Sequence, residues 1–149
     1  MACLIDTSIL SRLANATDTQ HGLATHAVLE LHRRGEVLNV TAQVFVEFRN
    51  VATRPVAVNG LGLSSAEAEA LAATFEARFP LLAETPDIYP AWKALVSAFG
   101  VIGKQVHDAR LVAVCHVHGL THLLTFNVAH FNRLSGFGPG LVVDNAATV

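Results

Sequence analysis

The sequence predicts an α/β protein: a three-layer α/β/α sandwich around a mainly parallel sheet. Its candidate strands, Ala2-Cys3-Leu4-Ile5, Val37 to Val40 and His122 to Thr125, are continuous apolar runs rather than polar-apolar alternations, as in strands covered on both faces. Segments with helical periodicity and capping signals lie between them, so strands and helices alternate along the chain. The length of 149 residues suits one domain, expected over residues 1–149, with a core that needs neither disulfides nor a structural metal.

Met1 to Ile5 reads as the first strand, and Asp6-Thr7-Ser8 supplies polar side chains to cap a helix from Ile9 to Asn15. A longer helix spans Gly22 to Arg34, Gly35 ends it, and Val37 to Val40 is the second strand. Thr41 caps a helix through Val51 that closes before Arg54-Pro55, because proline disfavours helix in the residue before it. Pro55 to Leu63, with Asn59-Gly60 and Gly62, is a loop. Ser64-Ser65-Ala66-Glu67 has the form of a capping box opening a helix to Phe79, stopped by Pro80. Leu81 to Ala83 is a short strand, Pro86 to Phe99 an amphipathic helix carrying the single Trp, and Gly100 to Gly103 a joint. Asp108 then heads an apolar helix over Ala109 to Val117 that Gly119 ends. His122 to Thr125 is a strand, Val128 to Leu134 a helical turn, and Leu141 to Val143 the last strand.

The formal charge of −2, from 10 basic and 12 acidic residues, leaves no broad basic footprint for nucleic acid. Local cations and a bound metal could still hold a phosphodiester. The N-terminus lacks a basic region before its short apolar stretch, so no signal peptide is expected. No apolar run approaches the roughly 20 residues of a membrane span, and a cytoplasmic protein with no membrane partner is expected. The hydrophobic share of 52% excludes the ten glycines, and soluble domains show roughly 45–50% with glycine included. That surplus predicts apolar surface left over for a dimer or a protein partner. Cys3 and Cys115 have no C-x-x-C spacing and read as buried thiols.

Three acids stand out. Asp6 ends an apolar strand, Glu47 is framed by Val44, Phe45, Val46 and Phe48, and Asp108 heads an apolar helix. Gln43, Glu47, Asn50 and Arg54 form one helical stripe, with Glu47 at its border with the apolar face. Periodicity does not separate a site acid there from a solvated stripe with a Glu47 to Arg54 attraction. Asp6 could equally be only a helix cap. Asp108 is more informative, because Leu111, Val112 and Cys115 fall three, four and seven residues on and set it above a buried seam. Its helix N-terminus favours an ionised carboxylate. Asp6 and Asn127 both follow strands, on the edge where α/β sheets build their sites. Three acids and an amide so placed are the oxygen donors that Mg²⁺ or Mn²⁺ requires, and such a cation would offset their mutual repulsion.

Asp6-Thr7-Ser8, Val44-Phe45-Val46-Glu47-Phe48, Val106-His107-Asp108-Ala109-Arg110-Leu111 and Leu123-Leu124-Thr125-Phe126-Asn127-Val128-Ala129-His130-Phe131 resemble, in that order, the four signatures of the PIN domain. They are most similar to the bacterial VapC-like toxins, and the resemblance covers the whole chain. It implies a PIN-like α/β/α sandwich and a Mg²⁺- or Mn²⁺-dependent ribonuclease, often dimeric and held inactive by a cognate antitoxin. By matching positions, Asp6, Glu47 and Asp108 would be the acidic metal-site residues and Asn127 the fourth catalytic position. That position is Asp in many relatives and Asn in others, and the Asn removes one negative charge, which speaks against a second metal on that side. Asp6 and Asp108 are the first choices as direct ligands, and Glu47 would act through a water or as its base. Thr7 and Thr125 would support the site, Thr125 with Asn127 orienting solvent and the Asp6 side chain. Lys104 and Arg54 are candidate phosphate contacts, and His130 is assigned no catalytic role.

The eight histidines do not form a zinc pattern: His116 and His118 point about 200° apart on a helix, and Gly119 separates them from His122. His107 could touch substrate, with a local structural hydrogen bond as its plainer role. The rival reading is a PIN-like RNA-binding or protein-binding scaffold that no longer cleaves. A phosphoreceiver domain fits less well, because Asp6 is followed by Thr7 rather than a second acid.

Overall fold

The computed structural model describes residues 1–149. Four strands, β1 (Ala2–Ile5), β2 (Val37–Asn39), β3 (His122–Thr125) and β4 (Val142–Asn145), form one sheet in the order β2-β1-β3-β4, every pair parallel. Leu4 registers with Asn39 on one side and Leu123 on the other. The two central strands carry the most buried residues, as their unbroken apolar sequences require. Seven helices flank the sheet in an α/β/α arrangement: α1 (Thr7–Ala14), α2 (His21–Arg33), α3 (Ala42–Thr53), α4 (Ser65–Arg78), α5 (Ile88–Phe99), α6 (Gln105–His118) and α7 (Val128–Asn132).

Local signals set most boundaries. The Thr41 hydroxyl accepts from Val44 N–H at the start of α3, and Ser64 and Glu67 close a reciprocal capping box on α4. Gly119 ends α6 in the left-handed conformation. The loop after α3 contains a short 3₁₀ turn, Val56–Val58, then Asn59 with φ 64°. At Gly60 a Cβ would lie 1.8 Å from the Arg54 carbonyl oxygen, so the close return of the loop onto α3 requires glycine.

Several limits differ from expectation. Helix α1 starts at Thr7 rather than Ile9, because Asp6 itself caps it through Ser8 N–H. The Asp108 helix begins earlier, at Gln105, so Asp108 sits within its first turn. Leu81 makes only a single bridge with Val40 in place of a strand. The last strand extends beyond Val143 through Asp144 and Asn145, with Asp144 held 2.8 Å from His122 Nδ1 on the neighbouring strand.

The core is a cluster of 29 buried residues that includes Leu4, Ile5, Phe48, Leu123 and Phe131. Helix α6 is buried on more than the predicted seam: Ala109 and Leu111 through Cys115 are all inaccessible, because α5 packs along its outer side. The expected leftover apolar surface is present at Val46, Ile102, Val56 and Leu29, each more than 60% exposed.

Candidate active site

Strand β1 leads to β2 on one side while β3 lies on its other side, so the strand order switches direction between β1 and β3. The carboxyl ends flanking such a switch open into a crevice. Asp6 follows β1 there, and Thr125 and Asn127 end and follow β3.

Asp6 is only 4% exposed. Its Oδ1 accepts from the Ser8 amide at 3.0 Å and from the Ser8 hydroxyl, and its Oδ2 accepts from Thr125 Oγ1 at 2.7 Å. Thr125 Oγ1 in turn accepts from the Asn127 amide at 2.8 Å, which fixes the direction of its proton. Burial pushes the Asp6 carboxyl up to about 6, against the hydrogen bonds from Ser8 and Thr125, and the charge of Asp108 acts in the same upward direction.

Glu47 projects from α3 with both oxygens held. Oε2 accepts from Thr7 Oγ1 at 2.6 Å and Oε1 from Gln43 Nε2 at 2.9 Å. The same Gln43 nitrogen donates to the His107 carbonyl at 2.8 Å, and Gln43 Oε1 accepts from Arg110 at 3.1 Å. Arg110 is itself anchored on Glu84 at 2.6 Å. The Gln43 amide is therefore fixed in one orientation, and this chain of bonds ties α6 to α3 and α3 to the start of α1.

Asp108 is partly buried, and burial raises its pKa. His130 opposes the rise, its Nδ1 lying 3.4 Å from Asp108 Oδ2, while the charge of Glu47 reinforces it. Asp6 and Asp108 thus feel one another, as do Asp108 and Glu47. Three acids far apart in sequence share one electrostatic neighbourhood.

The remaining expected residues divide. Thr7 and Thr125 each hold a carboxylate. Asn127 is exposed at the start of α7 and makes no side-chain capping bond. Lys104 is exposed just before α6. Arg54 donates to the Asn59 carbonyl at 2.9 Å in the following loop and makes no ion pair with Glu47, so the helical stripe does not close on itself. Sequence reasoning gave no part to Ser8, Arg110 or His130 at the acids. Ser8 was legible as the second residue after a cap, and Gln43 as the residue one helical turn before Glu47. His130 reaches Asp108, and Arg110 reaches Gln43 beside Glu47, only through packing between helices. The His107 ring makes no hydrogen bond; only its carbonyl is engaged.

The family model of the PIN domain matches residues 3–136. The chain belongs to the PIN domain family. No curated protein matches it significantly. Among solved structures, this PIN domain is similar to VapBC2 from Rickettsia felis bound to a promoter DNA fragment, with TM-score 0.70 and 16% identity over 97% of this chain and 98% of that one. It is also similar to VapC20 from Mycobacterium tuberculosis, a toxin that cleaves the sarcin-ricin loop, with TM-score 0.65 and 23% identity over 91% and 96%. A toxin–antitoxin complex from Klebsiella pneumoniae matches with TM-score 0.64 and 21% identity over 94% and 95%. These likenesses establish the fold that the sequence predicted. The sheet, expected to be mainly parallel, is parallel throughout.

The donors of the site suit a hard cation in kind, being carboxylate and amide oxygens. No three His, Cys, Asp or Glu side chains are gathered closely enough to enclose an ion by themselves. Asp6 and Glu47 already have hydrogen-bond donors on both oxygens, which leaves Asp108 the least committed carboxylate. The arrangement fits a cation that keeps much of its water and touches one or two carboxylates, the habit of Mg²⁺, and does not fit a closed protein cage.

Proposed function

We propose that this PIN domain is a metal-dependent endoribonuclease that hydrolyses RNA phosphodiester bonds, and that it is the toxin of a toxin–antitoxin pair. The observation that supports the reading is the buried Asp6 at the sheet's switch point. Burial opposes ionisation of both Asp6 and Asp108, the charge of Asp108 adds to the cost at Asp6, and that of Glu47 to the cost at Asp108, a cost retained where chemistry needs it. Family membership supports hydrolysis of nucleic acid. RNA as substrate, and toxin as role, follow the resemblance to VapC-like proteins.

In this reading Asp6 and Asp108 would hold Mg²⁺ or Mn²⁺ together with water. The ion, when bound, would make a coordinated water more acidic and offset charge on the phosphate oxygens. Ser8 and Thr125 lock Asp6 in a single rotamer, so its position does not depend on substrate. Glu47, aimed by Thr7 and Gln43, would accept the proton of the attacking water as the new P–O bond forms and the P–O bond to the leaving ribose oxygen breaks, that oxygen taking a proton from solvent water. The Asn127 amide lies at the solvent side and orients water or substrate without adding charge. Lys104 is free to meet a phosphate, whereas Arg54 would first have to leave the Asn59 carbonyl.

A cognate antitoxin and a second copy of the chain are the proposed protein partners. The exposed apolar side chains on α2, α3 and the α5–α6 joint offer them surface, and the structural neighbours include toxin–antitoxin complexes. No helix is long and apolar enough to cross a membrane, and the proposed substrate sets the place of action in the cytoplasm.

The test is cleavage of a structured RNA pool by the purified chain with Mg²⁺ or Mn²⁺, with chelator, and with Asp6→Asn or Asp108→Asn. Metal-dependent cutting lost in both variants is expected. Cutting unchanged by either substitution would refute the assignment, and RNA retained without cutting would turn the reading to a binding scaffold.

A further inference from the structure

Beside the acids, on the outer side of α6, lies a cleft of about 310 Å³ lined by Tyr89, Trp92, Val106, His107 and Arg110. Its floor is aromatic. Tyr89 and Trp92 stand one helical turn apart on α5 with ring centroids 5.8 Å apart and planes inclined by 29°, and Tyr89 is 64% exposed. The Trp92 indole is fixed by donation from Nε1 to the Val106 carbonyl at 2.7 Å. The polar lining residues are His107, whose ring has no hydrogen bond of its own, and Arg110, whose guanidinium is paired with Glu84 outside the cleft.

Two connections make this cleft part of the same working surface as the acids. His107 immediately precedes Asp108. Arg110 donates to Gln43, which donates to Glu47. The cleft thus shares helix α6 with Asp108 and a hydrogen-bonded link with Glu47, which places it on the course of a strand that continues past the acids.

We infer that the cleft is a nucleobase subsite, in which an unpaired base of the RNA strand next to the scissile phosphate stacks on the Tyr89–Trp92 pair and presents its polar edge to His107 and Arg110. The inference rests on the ribonuclease reading for the identity of the strand. Unpaired RNA bases are commonly recognised by stacking on aromatic rings and Arg planes, with their edges hydrogen-bonded. A flat ring already stacked on a fixed indole loses little freedom when a third ring joins it. Glu84 already pairs the Arg110 guanidinium, and it is the exposed His107 ring, with no hydrogen bond of its own, that favours a polar base edge over the apolar side chains that a second copy of this chain would bring. The few aromatics identify no stacking platform in the sequence; the Tyr89–Trp92 pair arises because the two stand one turn apart on α5.

Trp92 is the only Trp, so its emission reports on this cleft directly. The wild-type chain, in chelator so that RNA stays intact, is titrated with a hexaadenylate and with a hexamer whose internal nucleotides are abasic. Saturable quenching by hexaadenylate, about tenfold weaker or less with the abasic strand, is expected. Tyr89→Ala should weaken the hexaadenylate interaction by about tenfold at unchanged thermal midpoint, since Tyr89 is exposed. Trp92→Phe, followed by RNA retention on a filter rather than by emission, should keep most of the affinity. Equal quenching by the two strands would overturn the inference in favour of backbone binding alone. Emission indifferent to RNA but shifting on protein dilution would overturn it in favour of a second copy covering the cleft. Normal metal-dependent cleavage without any quenching would remove the base subsite and leave the nuclease standing. Quenching without cleavage in Mg²⁺ or Mn²⁺ would support the subsite and remove the nuclease.

Discussion

Replacing Asp6 by Asn should make the metal-free protein more stable at neutral pH and no more stable in acid. Asp6 is almost wholly buried, and its pKa rises from an ordinary 3.8 to about 6. Between those values the folded chain holds a proton that the unfolded chain has released, so stability falls as pH rises through that window. Above it the full penalty applies, and at 1.36 kcal/mol per pH unit the gap corresponds to about 3 kcal/mol. Asn has no charge to desolvate and is as good an N-cap as Asp. Its amide nitrogen would face the Thr125 hydroxyl or the Ser8 donors, and one bond is lost at about 1 kcal/mol. The net gain is on the order of 2 kcal/mol, or about 4–8 °C in thermal midpoint for a chain of this size. Melting followed by circular dichroism in chelator, from pH 4 to pH 8, measures it. The variant should melt higher at pH 7.5, and the advantage should vanish or reverse near pH 4. With Mg²⁺ added, the wild type should rise by mass action and the variant much less. A variant that melts below wild type by the same margin at every pH would refute the reasoning, because Asp6 would then be a structural cap whose charge carries no cost.

Two further outcomes test the site and its frame. Thr125→Val removes the donor to Asp6 Oδ2 and the acceptor of the Asn127 amide; it should cost about 1–3 kcal/mol in urea denaturation. It should also move the acidic limb of any RNA-cleavage profile to higher pH, since a lost donor favours the protonated carboxyl; an unmoved limb would mean that Asp6 need not be ionised. Gly60→Ala forces a methyl group against the Arg54 carbonyl, and the backbone shift should cost about 1–3 kcal/mol by urea midpoint, whereas an unchanged midpoint would show that the loop yields freely.

What the sequence by itself determined is what short-range chemistry governs. Thr41, Ser64 with Glu67, and Gly119 marked helix ends because a cap is a bond between near neighbours, and these stand where they were read. The unbroken apolar strands foretold a covered parallel sheet, since only strands buried on both faces tolerate such runs. Asp6 and Asp108 were legible as acids set against apolar segments. The first turn of α6 was less so, because Gln105 to His107 carry no capping side chain and are held by packing against α5 and α3.

Only the tertiary structure decided which groups meet. Pairing β1 with β3 sets Thr125 on Asp6, and the approach of α6 to α3 places Arg110 on Gln43 and Asp108 within the field of Glu47. His130 arrives beside Asp108 by the same route. Such contacts join residues far apart in the chain, and their distances depend on how helices pack across a core. Packing of that kind sums many weak contacts without a local sequence signature, and so the Tyr89–Trp92 cleft next to the acids became visible only once α5 lay against α6.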